Sequence, residues 1–321
     1  MASRSWLPGD LAMAVRALQA HPVKWAGVAG MLGSGRRGGM HGKRAEQDGD
    51  VCGRVAWIVS PGDGVAVGTG RCAGPGACRP GMAAAARPVR SAVPDPVRRD
   101  ARAAVCTRSR YAEDRLAAGA FTQYVILGAG LDSFAWRRPD LLGSLTVFEV
   151  DHPASQAWKL ERVRELGLPL SASQVFVPVD FEAEPVQDVL GAAGFDWAQP
   201  AMFCWTGVAP YLTAQAIEST LRTIAAAAPG SEVVFSYRAE DAVLDDAGTE
   251  YARIYTPIAA SVGEPLQPGW PASEIERLIS RCGLKVVDHP ARADLQQRYF
   301  AGRTDGLRPY TFETLVAARV A

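Results

Sequence analysis

The residues best placed to do chemistry begin in Tyr124-Val-Ile-Leu-Gly-Ala-Gly-Leu-Asp132, an apolar run that ends in a turn holding Gly128 and Gly130. Glycines after a strand let the backbone approach a ligand with no Cβ in the way. The pair alone is ambiguous, because any tight strand-to-helix turn favours glycine. Val147-Phe-Glu-Val-Asp151 follows, and an acid at the end of the next strand, about 20 residues on, can accept hydrogen bonds from both hydroxyls of a ribose. Either acid there could instead cap a helix, Glu149 more readily than Asp151. Val177-Pro-Val-Asp180-Phe181 then sets an acid and an aromatic ring at the end of a third strand. Asp180 could bond an adenine amine while Phe181 covers its face, or Asp180 could cap a helix before Glu182. A dinucleotide fingerprint needs a third glycine where Ser133 stands, which weakens a nicotinamide reading.

The elements that must position these groups follow the rhythm of a doubly wound parallel sheet. Strands are expected at Tyr124–Leu127, Leu145–Val150, Gln174–Val179, Ala201–Trp205 and Glu232–Tyr237. Helices are expected over Ser133–Leu142, Ala154–Leu166, Pro185–Ala193 and Ala214–Ala227. Residues 239–270 break the pattern with Pro257, Pro265, Pro268 and Gly269, as an insertion over the site would. Tyr251, Tyr255 and Trp270 in it are candidates for acceptor recognition or for packing on the sheet. A helix at Pro271–Cys282 and strands at Leu284–Asp288 and Thr311–Arg319 finish the chain, the last two pairing antiparallel at the sheet edge.

The first third is a different kind of sequence. Residues 1–106 hold 15 Lys and Arg against 7 Asp and Glu, whereas residues 107–321 hold 19 against 27, so the neutral whole conceals opposite halves. Residues 1–106 also hold 17 of the 32 glycines, a density that opposes a packed core. The segment reads as an atypical Gly/Ala/Arg-rich stretch, irregular or disordered, attached to a domain over 107–321. Its texture is that of a GC-rich gene translated in a shifted frame or from a wrong start. Its charge is too thinly spread to point to nucleic acid. The six cysteines show no C-x2-C spacing, so reduced thiols, no metal site and a cytoplasmic location are the expectation. No run reaches the ~18 to 20 apolar residues that span a bilayer.

Taken together, Arg108-Ser-Arg110-Tyr-Ala-Glu-Asp114, Leu127–Ser133, Phe148-Glu-Val-Asp-His-Pro153, Val179-Asp-Phe181, Trp205-Thr-Gly-Val-Ala-Pro-Tyr-Leu212 and Gly302-Arg-Thr-Asp-Gly306 resemble the leucine carboxyl methyltransferase-like family. This is a family of class I S-adenosylmethionine (SAM)-dependent methyltransferases, and the resemblance is strongest to bacterial members of unassigned substrate. It covers about residues 108–321. It implies an α/β fold, a Rossmann-like seven-stranded sheet with helices on both faces and SAM across the strand ends. Arg110 would then pair with the methionine carboxylate, Gly128 and Gly130 would face the methionine and ribose, Asp151 the ribose hydroxyls, and Asp180 with Phe181 the adenine. Tyr211 would hold an acceptor oxygen or the cofactor, or merely pack. Many members carry an acid where Thr206 stands.

The resemblance implies O-methylation of a small-molecule or carboxylate-bearing acceptor. A carboxylate is already ionised at neutral pH and needs no general base, which agrees with the lack of an obvious catalytic histidine: His152 and His289 read as strand-end residues. The helices that usually precede the Arg-Ser-Arg-Tyr segment are not recognisable. Two other readings therefore stand beside it, a NAD-dependent oxidoreductase and a SAM-binding protein impaired by loss of its cap.

Overall fold

The computed structural model describes residues 95–165, 167–180, 184–261 and 264–321. What was expected of residues 1–94, of His21 and His41 within them, and of Phe181 lies outside the described residues.

Seven strands form one sheet: β1 Gln123–Leu127, β2 Thr146–Asp151, β3 Gln174–Pro178, β4 Ala201–Trp205, β5 Glu232–Arg238, β6 Leu284–Asp288 and β7 Glu313–Val320. Their order is β3-β2-β1-β4-β5-β7-β6. The first five run parallel, and β7 enters antiparallel between β5 and β6. Every residue of β1 and β4 is buried, as befits central strands covered on both faces.

Alternate residues sort the two faces. Val125, Phe148, Val177, Phe203, Val233 and Val316 pack under Leu190, Ile217, Leu221, Ile275 and Leu278. Those last five come from α4 Val186–Ala192, α5 Ala214–Ala225 and α7 Ala272–Arg281. On the other face Tyr124, Ile126, Val147, Met202, Val234 and Leu315 meet Tyr111, Ala112 and Leu116 of α1 Asp95–Ala118 and Phe134 of α2 Phe134–Arg137. The remaining helices are α3 Pro153–Glu165, α6 Asp246–Ser261 and α8 Arg292–Leu295. Among the described residues no helix is long and apolar enough to cross a membrane.

Three elements differ from the expected pattern or add to it. The helix expected over Ser133–Leu142 is the four-residue α2, because Pro139 keeps Arg138 out of helical geometry; Arg138 sits at φ −123°, ψ 53°. The stretch 239–270 contains the 16-residue α6, which runs through Pro257 and is held by the packing of Tyr251, Tyr255 and Ala259 against Tyr310 and Phe312. A helix does precede the Arg-Ser-Arg-Tyr segment: α1 starts at Asp95 and runs unbroken across residue 106, where the composition changes.

Candidate active site at the strand ends

The parallel strands deliver their carboxyl ends to one edge, where backbone groups left unpaired by the sheet become available. After β1 the amides of Gly128 and Ala129 both donate to the Val150 carbonyl, at 2.9 and 3.1 Å, which bends the chain over the end of β2. The bend needs Gly128 for two reasons. Its φ is +66°, and a Cβ there would lie 2.6 Å from Cγ2 of Val208, just beyond β4. Gly130, also at positive φ, donates its amide to Oδ2 of Asp151.

Asp151 ends β2 and is 5% exposed. Its second oxygen accepts the His152 amide at 2.7 Å. Burial pushes this carboxyl up to about 6, against the pull of the two amides from Gly130 and His152. The glycine turn and the acid at the next strand end are therefore one bonded unit. Asp180 stands at the neighbouring strand end, since the amide of Val179 bonds the Asp151 carbonyl at 2.9 Å. Its own amide accepts no load from the sheet but donates to Glu184 at 3.2 Å. Ser133, in the third-glycine position, is buried and accepts from Nε of Arg137 at 3.1 Å.

Beneath this unit lies a buried ion pair. Glu149 and Lys159 are each 1% exposed at the side chain. Nζ of Lys159 bonds the Glu149 carboxylate and, at 2.6 Å, the carbonyl of Asp132 in the turn. Gln174 on β3 donates to the other Glu149 oxygen at 2.6 Å. Burial pushes the Glu149 carboxyl up and Lys159 pulls it back. A second buried pair joins Arg137 of α2 to Glu113 of α1, so the helix across the sheet is fastened to the turn.

α1 also brings an arginine to the end of β4. The guanidinium of Arg108 rests on Gly207, where a Cβ would lie 2.7 Å from it. Glu313 holds Nη1 of Arg108 at 3.2 Å through both carboxylate oxygens, which leaves the other two guanidinium nitrogens outside that pair. Arg110, two residues on, is about 200° further round the helix and bonds Asp114 of the same helix at 2.7 Å. In the Arg-Ser-Arg-Tyr segment, Arg108 thus lies on the strand-end backbone at Gly207.

Tyr211 follows β4 in a short 3-10 turn over Ala209–Tyr211. Its hydroxyl lies 2.6 Å from that of Tyr255 on α6. Burial pushes both the Tyr211 and the Tyr255 phenols up. Tyr251, Tyr310 and Phe312 complete this aromatic group. The two described histidines are occupied elsewhere: Nδ1 of His152 accepts the Ala154 amide at the start of α3, and His289 bridges Tyr237 and Glu276. Among the described residues no group of three or more His, Cys, Asp or Glu could hold a metal ion.

Arg108, Glu313 and Lys159 are the members of this arrangement that sequence reasoning did not single out. One signal was available for Lys159. Glu149 is an acid inside an otherwise apolar strand, and a buried carboxylate calls for a cation. Arg108 and Glu313 depend on each other across 205 residues.

The sequence profile of the leucine carboxyl methyltransferase family matches residues 81–225. A candidate S-adenosyl-L-methionine-dependent methyltransferase of Bacillus subtilis (strain 168), YktD, is 36% identical over 216 residues, 67% of this chain and 69% of that protein. A candidate methyltransferase of the same description from Mycolicibacterium gilvum (strain PYR-GCK) is 36% identical over 137 residues, 41% of this chain and 44% of the relative. Among solved structures, a DUF574 family protein of Streptomyces avermitilis MA-4680 shares the fold, with a TM-score of 0.53 at 15% identity over 70% of this chain and 86% of that one.

Proposed function

Since the chain belongs to the leucine carboxyl methyltransferase family of SAM-dependent methyltransferases, we propose that it binds SAM at these strand ends and transfers its methyl group to a carboxylate oxygen of a small acceptor. The observation that carries the cofactor site is the bonded unit of Gly128, Gly130 and Asp151. It combines a turn in which the first glycine admits no side chain with a buried carboxylate anchored by two amides. Such an anchored acid keeps lone pairs for the two ribose hydroxyls. Gly128 and Gly130 would face the methionine and ribose, and Asp180 with Phe181 the adenine. For the methionine carboxylate we assign Arg108 in place of Arg110, because Arg108 lies on Gly207 and presents guanidinium nitrogens that Glu313 does not take.

Bound SAM supplies a methyl carbon made electrophilic by its sulfonium. The protein's part is to hold the acceptor oxygen in line with that carbon. Tyr211 and Tyr255 are protonated at neutral pH, as phenols ordinarily are, and burial raises them further; one hydroxyl donates to the other, so the pair has one proton left to orient an anionic oxygen and does not act as a base. Among the described residues Nδ1 of His152 accepts a backbone amide and both ring nitrogens of His289 are hydrogen-bonded, an arrangement that suits an acceptor oxygen that arrives ionised. Carboxylates do so at neutral pH; alcohols do not.

The reading is tested by titration calorimetry with S-adenosylhomocysteine (SAH), with NAD and an Asp151→Ala variant as controls. Micromolar SAH binding, lost in the variant and absent for NAD, is expected. Methyl transfer from labelled SAM to a panel of small carboxylic acids, alcohols and amines then tests the acceptor. NAD binding would overturn the cofactor, and transfer confined to alcohols or amines would overturn the carboxylate. SAH binding with no transfer to any member would favour a binding protein.

A further inference from the structure

A buried ion pair adds little to stability for its cost. Desolvating both charges consumes most of their attraction, and an apolar pair of similar size is often as stable. The Glu149–Lys159 pair is fully buried and lies directly under the proposed cofactor turn, so its placement calls for another explanation. Lys159 does something an apolar residue could not. Its ammonium bridges Glu149 of β2 and the carbonyl of Asp132, the last turn residue before Ser133 and α2. It also stands 5.7 Å from the Trp136 ring centroid on α2. Glu149 is held in turn by Gln174 from β3, and its backbone carbonyl by Gln156 from α3.

The far side of the turn is fixed by Asp151, whose Oδ2 takes the Gly130 amide. Glu149 and Asp151, two apart on β2, share one face. Beyond the Gly128 and Ala129 amides on the Val150 carbonyl, the turn is thus held at the Gly130 amide from β2 and at the Asp132 carbonyl from α3. We infer that Lys159 is a positioning residue for the cofactor, one whose bond to the Asp132 carbonyl sets the height of the glycine turn over the strand ends. This rests on the reading of the Gly128–Gly130 turn and Asp151 as the SAM site.

The test separates position from stability. SAH dissociation constants at pH 7.5 and melting temperatures are measured for the wild type, Glu149→Gln, Lys159→Met and the neutral double variant Lys159→Met/Glu149→Gln. In Glu149→Gln, Nζ still holds the Asp132 carbonyl, so affinity is expected within threefold of wild type. In the double variant neither side chain of the pair leaves a charge unpaired and the melting temperature is expected within a few degrees of wild type, yet SAH binding falls at least tenfold. Binding by the double variant within threefold of wild type would overturn the inference. So would a tenfold loss in folded Glu149→Gln, which decides the matter if the lysine variants do not fold. Wild-type protein that fails to bind SAH refutes the SAM reading itself, a result distinct from either.

Discussion

Replacing Gly128 with alanine imposes two separable penalties. At φ +66° a residue with a Cβ pays the left-handed penalty of about 1–2 kcal/mol. The new methyl would also stand 2.6 Å from Cγ2 of Val208, and overpacking of this kind in a buried place adds roughly 1–3 kcal/mol. Gly128→Ala should therefore lose ~2–5 kcal/mol, a fall in melting temperature of roughly 5–15 °C for a domain of this size. Val208→Ala alone removes two methyl groups from a buried site, at ~0.8 kcal/mol each or somewhat more. In the double variant the clash is gone and only the backbone penalty and the lost methyls remain. The two single effects should then exceed the double by ~1–3 kcal/mol. Urea unfolding followed by the fluorescence of the buried Trp205 measures all three. If the single effects add to within ~0.5 kcal/mol, the turn escapes Val208 by moving and the packing argument for Gly128 is wrong. SAH titration of the double variant adds a functional reading: the turn regains its height, so affinity should recover relative to Gly128→Ala.

Asp151 should make SAH binding fall with acid. Ribose hydroxyls donate to the ionised carboxylate, which burial raises to about 6, so affinity drops as pH falls below 6 and approaches tenfold per unit well below it, with no such slope in Asp151→Asn. The same shift has the opposite sign for the free protein: folded Asp151 keeps its proton to a higher pH than unfolded chain, so this group's contribution to stability declines as pH rises from about 4 to 6, and urea midpoints across that range check it. Arg108→Ala should weaken SAH binding at least tenfold while Arg110→Ala changes it less than threefold; the reverse order restores Arg110 to the methionine carboxylate. Glu113→Gln leaves the Arg137 guanidinium buried with only Asp132 at 3.8 Å as a counter-charge, a loss of roughly 3–5 kcal/mol by the rule for broken buried pairs, read from urea unfolding.

The sheet was readable because its strands are short apolar runs whose fate is decided locally. β4 and β6 fall on their expected bounds, and the other five differ by one or two residues at one or both ends. The glycine turn and Asp151 were readable for a related reason, their spacing being fixed by one strand–helix–strand unit. What escaped was whatever depended on a distant partner. Nothing around Tyr211 announces Tyr255, and α1 has no continuous apolar stripe. Its polar residues are absorbed instead by groups from other parts of the chain: Arg108 by Glu313, Glu113 by Arg137, Arg115 by Glu232. A helix whose buried side is partly charged looks solvated in isolation, which is why residues 95–106 carry no apolar pattern of a covering helix. The same ion pairs explain how α1 can serve the site. Its Glu113 is tied to the cofactor turn through Arg137, and one and a half turns back its Arg108 lies on Gly207. One helix thus spans from the end of β1 to the end of β4, the two places where the proposed site would bring SAM and its acceptor into line.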